Sequence, residues 1–125
     1  MTEDLRKHIQ ETIRSVPGVR GVVIADRDGV PILRVHDETV PETVMRPPFL
    51  SSVGFATDQA SRLGYGKTNY VISIHERHQM VHFNLTGIIL TVIADVESNT
   101  GLLLTLSNDL TDVTDSIRNA LQLTS

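Results

Sequence analysis

Three short stretches carry side chains that do chemistry elsewhere. Asp26-Arg27-Asp28-Gly29 has the Asp-x-Asp-Gly look of a calcium loop. His75, Glu76, Arg77, His78 and His82 gather metal-ligand side chains in one segment. Gly64-Tyr65-Gly66-Lys67-Thr68 ends in the Gly-Lys-Thr of a phosphate loop.

Each fails on spacing or context. An EF-hand loop needs an oxygen ligand in first place and a glutamate in twelfth, around an invariant glycine. Set on Gly29, that frame puts Ile24 first and Val35 twelfth, and neither side chain can ligate. The stretch reads instead as a hairpin turn: Asp26 bonds the turn's own amides and Gly29 supplies the positive φ after a type I turn. The histidines are not HExxH, because the second comes one residue early and the segment is a hairpin, not a helix. His75 and His78 face each other across the turn and His82 shares the face of His78. A third ligand and an outer shell are missing, and the group reads as exposed hairpin histidines. A Walker loop needs an upstream glycine and a following helix. Here a helix precedes and a strand follows, so Gly64 and Gly66 read as a helix stop. Ser51, Ser52 and Ser61 lack the sharp strand-to-helix turn of a nucleophile elbow. The expectation is no catalytic residue, no cofactor and no metal.

Composition narrows the classes further. The 125 residues suit one domain, spanning 1–125. There is no cysteine, so disulfides, thiolate catalysis and cysteine zinc sites are excluded. A net charge of −4 argues against nucleic acid as a partner. Aromatics make up 4% of the chain with no tryptophan, too few for a base-stacking platform. No apolar run approaches the ~18 residues of a membrane span, and MTEDLRKH is too polar for a signal peptide and lacks a myristoylation glycine. Any membrane residence is expected to come through a partner.

The elements that position these residues follow from periodicity. Leu5, Ile9, Ile13 and Val16 mark a helix over residues 2–16, stopped by Pro17-Gly18. Strands are expected at Val19–Ala25 and Val30–His36, then a loop from Asp37 to Arg46. Arg46-Pro47-Pro48 opens a second helix, with Leu50, Val53, Ala56 or Thr57, Ala60 and Leu63 as its apolar stripe. Three strands follow, Thr68–His75, His78–Leu85 and Ile88–Asp95. A last helix runs from about Thr100 to Gln122 on Leu103, Leu106, Leu110, Val113, Ile117 and Leu121, with Ser98 or Asn99 as cap. Its other face, with Asp109, Asp112 and Asp115, reads as solvated.

Pro31 lacks an amide donor, which sends the second strand to an edge. The fifth strand, IILTVIADV, is apolar on both faces and belongs in the middle. The expected fold is α/β, a three-layer α/β/α domain with a five-stranded sheet in order 2-1-5-4-3. Its third strand is then the other edge, and Asn69 to Ile74 hold no charge and no proline to blunt it. Five strands span roughly 20–24 Å, whereas one helix covers about 10 Å. If the first and last helices share one face, the middle helix leaves the other face part-covered. An open edge and a part-covered face both call for a partner.

The order helix, two strands, helix, three strands, helix resembles the roadblock (LC7) family. DRDGVPI, RPPFLSSVGFATDQASRLG and NTGLLLTL are similar to its MEK-partner scaffold branch, found in the Ragulator adaptor of late endosomes and lysosomes. The likeness runs over essentially the whole chain, and FATDQASRLG is its most specific part. It implies a non-enzymatic scaffold that pairs as a heterodimer with a second roadblock adaptor subunit, sheet edge to sheet edge. It further implies other Ragulator subunits, Rag GTPases and TOR signalling, MEK and ERK kinases, and attachment to the membrane through a lipidated subunit. The place implied is the cytoplasmic face of the late endosome or lysosome, and the cytosol. Carried onto this chain, the interface is Phe49, Leu50, Val53, Ala56, Thr57 and Ala60 with Tyr70, Val71, Ile72, Ser73 and Ile74. HERHQMVH is the stretch least like the family, and no contact is carried there. The alternatives are a homodimeric roadblock protein of the motor light chain or GTPase-regulator type, and a small enzyme with an unrecognised cleft.

Overall fold

A computed structural model describes residues 2–124. The elements are α1 (Thr2–Ile13), β1 (Val19–Asp26), β2 (Pro31–His36), a 3-10 turn (Glu42–Met45), α2 (Pro47–Ser61), β3 (Tyr70–Ile74), β4 (His78–Leu85), β5 (Ile88–Asp95), α3 (Thr100–Leu103), α4 (Leu106–Asp109) and α5 (Thr111–Thr124). The strands form one antiparallel sheet in the order β2-β1-β5-β4-β3. The expected order therefore holds, with β2 and β3 at the edges and β5 in the centre.

Strand alternation divides the core into two. On one face Val22, Ile24, Leu33, Val35, Val81, Phe83, Leu90 and Val92 meet Ile9 of α1 and Leu103, Leu106, Leu110, Val113 and Ile117 of the C-terminal helices. On the other, Val23, Ala25, Met80 and Ile93 meet Leu50 of α2 and Val40, Val44 and Met45 of the preceding segment. Burying a side chain of this size stabilises by about 1.5–3 kcal/mol, so the sheet's two-sided strands anchor both layers.

Three local expectations need correction. The first helix ends at Ile13, not Val16, because the chain tightens there into turns, with Ser15 bonding Thr12 and Val16 bonding Ile13. The loop from Asp37 to Arg46 hides the 3-10 turn, whose Val44 and Met45 are buried and roof the β1 end of the sheet. The last helix is broken at Leu104-Thr105 and at Leu110; Leu103, Leu106, Leu110, Val113 and Ile117 of its expected stripe are buried, whereas Leu121 is exposed. Thr105 and Thr111 return their hydroxyls to carbonyls three residues back. Such bonds compete with the helix ladder and loosen it. Asn99 is the cap, its side chain accepting from the Leu102 amide.

The Asp26–Gly29 segment is a turn, as its neighbours required. The Asp26 carboxylate accepts from the amides of Asp28 and Val30, both at 2.9 Å, and Gly29 sits at φ 91°. The turn is pressed onto α2. A Cβ on Gly54 would lie 2.9 Å from the Arg27 carbonyl oxygen, and one on Gly29 would lie 2.5 Å from the Ser51 amide nitrogen. Both obstacles are backbone and cannot swing aside. Gly54→Ala is therefore expected to cost roughly 1–3 kcal/mol, despite alanine's better helix propensity. Urea unfolding of the variant checks this, and an unchanged or higher midpoint would refute the close approach.

Candidate partner interface

The third strand is open on its outer side. His75 donates its amide to the His78 carbonyl at 2.8 Å, and Asn84 donates to the Asn69 carbonyl at 2.8 Å. With the register Tyr70↔Phe83 through Ile74↔Gln79, the odd-numbered residues bond β4. The amides and carbonyls of Tyr70, Ile72 and Ile74 then point away from the sheet. Their side chains share the face of Phe83 and Val81. They are 44%, 37% and 69% exposed. Tyr70 leans edge-on against Phe83, ring centroids 6.2 Å apart. Free backbone groups and uncovered apolar side chains thus lie along one uncharged strand.

Val71 and Ser73 alternate onto the α2 face, half-buried. There they meet a polar chain that crosses three strands. The Ser73 hydroxyl lies 3.1 Å from His75 Nε2 and 3.1 Å from His82 Nε2, and His82 Nδ1 lies 3.0 Å from the Thr91 hydroxyl. Phe49 of α2 roofs His82, with ring centroids 6.3 Å apart. His82 is therefore buried, not an exposed hairpin histidine. Burial, and secondarily the nearby His75, push its pKa down to about 4. The signal available in the sequence was alternation: His82 falls in phase with Met80, at the centre of a strand with apolar residues on either side.

The structure divides the helix residues assigned to the interface. Leu50, Val53 and Thr57 are buried against the chain's own sheet, and the Thr57 hydroxyl returns to the Val53 carbonyl at 2.8 Å. They belong to the chain's own core. Phe49 and Ala60 are partly exposed and Ala56 is exposed, on the flank of α2 that leans toward β3. Leu63 lies beyond the helix end and is 73% exposed, so it is not part of the core stripe. Sequence reasoning passed over Phe55 and Tyr65, which are 66% and 96% exposed. Phe55 stands on the outward side of α2, away from β3, and Tyr65 lies between Gly64 and Gly66, both at positive φ.

Other polar groups are engaged in holding the fold. A cleft of about 490 Å³ beside the end of α1 includes Arg20 and Asp37. Arg20 forks onto Asp95 at 3.0 and 2.8 Å, and its remaining nitrogen lies 3.5 Å from Asp37. The Arg20 hydrogen bond holds the Asp95 carboxyl below the usual carboxylate range. This triad ties β1 to β5 across the sheet and presents no free acid–base pair. Among the described residues no group of three or more His, Asp or Glu side chains is placed to hold a metal ion.

This architecture is the roadblock/LC7 fold. A roadblock/LC7 domain from Streptomyces avermitilis matches it with a TM-score of 0.66 at 16% identity, over 93% of this chain and 96% of that one. MglB of Myxococcus xanthus matches with a TM-score of 0.74 at 13% identity, over the same shares of each chain. The chain belongs to the mitogen-activated protein kinase kinase 1 interacting family, whose pattern matches residues 3–121. The Ragulator complex protein LAMTOR3-B of Xenopus laevis is 37% identical over 123 residues, covering 98% of this chain and 100% of its own.

Proposed function

We propose that the chain is a non-catalytic adaptor subunit that pairs with a second roadblock subunit through β3 and the adjacent flank of α2. The observation that carries this is the uncharged outer edge of β3, where the backbone groups of Tyr70, Ile72 and Ile74 point outward beside exposed apolar side chains. Edge strands of this kind invite sheet extension. Phe49, Ala56 and Ala60 would meet the partner's own helix, with Val71 and Ser73 beneath them. The name of the Xenopus relative supports a place in a Ragulator-type complex, on the cytoplasmic face of late endosomes or lysosomes. Membrane attachment would be supplied by a lipidated subunit. In that setting the exposed surfaces hold Rag GTPases for TOR signalling, and MEK with ERK. Tethering of this kind raises local concentration to the mM range and needs no new chemistry.

Co-expression with a candidate second roadblock subunit tests the pairing. The expected result is one soluble species whose mass in solution is that of a one-to-one complex. A chain that stays monomeric beside every such subunit overturns the reading. The uncharged β3 edge is also suited to a second copy of itself, which is the homodimeric alternative. Light scattering of the purified chain separates the two, because a stable homodimer that excludes the other subunit contradicts heteromeric pairing.

A further inference from the structure

The opposite edge of the sheet has a different chemistry. In the β1–β2 ladder Asp37 donates its amide to the Arg20 carbonyl at 2.9 Å. The register Val23↔Arg34 and Gly21↔His36 then places Arg34 and His36 where amides and carbonyls face outward. The Arg34 carbonyl bears this out, since it accepts a hydrogen bond from the Arg6 guanidinium of α1. Beside this edge lies a cleft of about 370 Å³, lined by Arg6, Arg34, His36, Glu42, Met45 and Arg46. Three guanidinium groups and an imidazole meet one carboxylate there. That carboxylate is already paired, Glu42 lying 2.9 Å from Arg46. The chain as a whole carries −4, so the local surplus runs against the global charge.

We propose that this cleft is a docking site for an acidic, extended peptide segment of another protein, which adds as a strand along β2. Arginine forks match carboxylates with two parallel hydrogen bonds. An added strand repeats its side-chain direction every second residue, so alternate acidic residues would reach Arg34 and Arg46 together. The outward amides of Arg34 and His36 would take the segment's carbonyls, and displacement of Arg6 from the Arg34 carbonyl would free that guanidinium for a further carboxylate. A lipid headgroup would use the arginines but leave the strand's backbone groups unmatched, and this favours a peptide. The site is at the far edge from β3, so it stays available whether or not β3 is paired.

Fluorescence anisotropy with a labelled Glu-Val-Glu-Val-Glu-Val-Glu peptide and the full chain tests the proposal at low salt. Saturable binding is expected, falling as ionic strength shortens the screening length below about 8 Å. Arg34→Glu and Arg46→Glu should each weaken it by about ten-fold or more. Arg34→Gln provides a milder variant should the reversal disturb folding, which circular dichroism reports. Two further peptides, N-methylated on each alternate set of amides, keep the charge but block one side of a strand, and one of them should lose binding. Absence of saturable binding, or equal binding by both methylated peptides, overturns strand addition. Vesicles containing phosphatidylserine that bind in an Arg34-dependent way, with no peptide binding, would assign the cleft to a membrane surface instead.

Discussion

Ile74→Asp is expected to leave the isolated chain folded and to abolish its pairing with a second roadblock subunit. Ile74 is 69% exposed in the isolated chain, so its replacement removes little from the core. A urea midpoint within about 1 kcal/mol of the parent is expected, as for other surface changes. In a paired edge the same side chain would lose water. The substitution then forfeits roughly 1–2 kcal/mol of apolar burial and sets a carboxylate where it has no counter-ion, at a further cost of several kcal/mol. Together these weaken association by at least about 100-fold, which corresponds to 2.7 kcal/mol or more. Sedimentation of the mixed subunits reads this directly. Ile72→Asp should act alike, with a larger cost to the monomer because that side chain is 37% exposed. Val53→Asp is a poor probe. Val53 is 9% exposed on the inner side of α2, and a carboxylate there would unfold the helix layer before it could report on a partner. Unchanged mass of the complex in both Ile72→Asp and Ile74→Asp would remove β3 from the interface.

What was legible in the sequence depended on the length scale of the signal. Pro31 and the doubly apolar β5 decided the sheet order, because a missing amide and two-sided burial are strong, local constraints. The direction of the β3 side chains was not decidable from NYVISI. Alternation separates Tyr70, Ile72 and Ile74 from Val71 and Ser73, but only the register with β4 says which face each set takes. The helix residues expected at the interface combine two sides of α2. Leu50, Val53 and Thr57 repeat with the period of a core face, and a core face is what they form. The flank proposed to face a partner lies about 90° round the helix, where Phe49, Ala56 and Ala60 give a weaker apolar signal. The 3-10 turn at Glu42–Met45 was missed for the opposite reason: four residues are too few to show any period, although buried Val44 and Met45 close the β1 end of the α2 face. His82 was misjudged because it was grouped with the hairpin residues His75, Glu76, Arg77 and His78, whereas its neighbours in space are Ser73, Thr91 and Phe49.

That burial makes His82 the group through which acid should act on this fold. Its folded pKa of about 4 lies below the ordinary value of 6.5, so the unfolded chain binds the extra proton more readily. The stability held by neutral His82 is complete above pH 6.5. It declines as pH falls through that value and is lost by about pH 4. At 1.36 kcal/mol per unit the loss comes to about 3 kcal/mol. The physical cause is that protonation would place a charge among Phe49, Met80 and the hydroxyls of Ser73 and Thr91, with His75 as the nearest titratable neighbour and no carboxylate within hydrogen-bonding reach. Asp95 and Asp37 also lose stabilisation in acid, but their carboxyls are held below the ordinary 3.8, so their contribution is lost only below the window in which His82 acts. Urea unfolding at pH 7, 5.5 and 4.5 should therefore show stability falling at each step, and His82→Asn should flatten that slope while lowering stability at pH 7. The His82 ring protons, followed by NMR, should not titrate near pH 6.5. A midpoint there would mean that the Ser73–His82–Thr91 chain is open to water. The α2 roof would then be loose over the strand proposed to meet the partner.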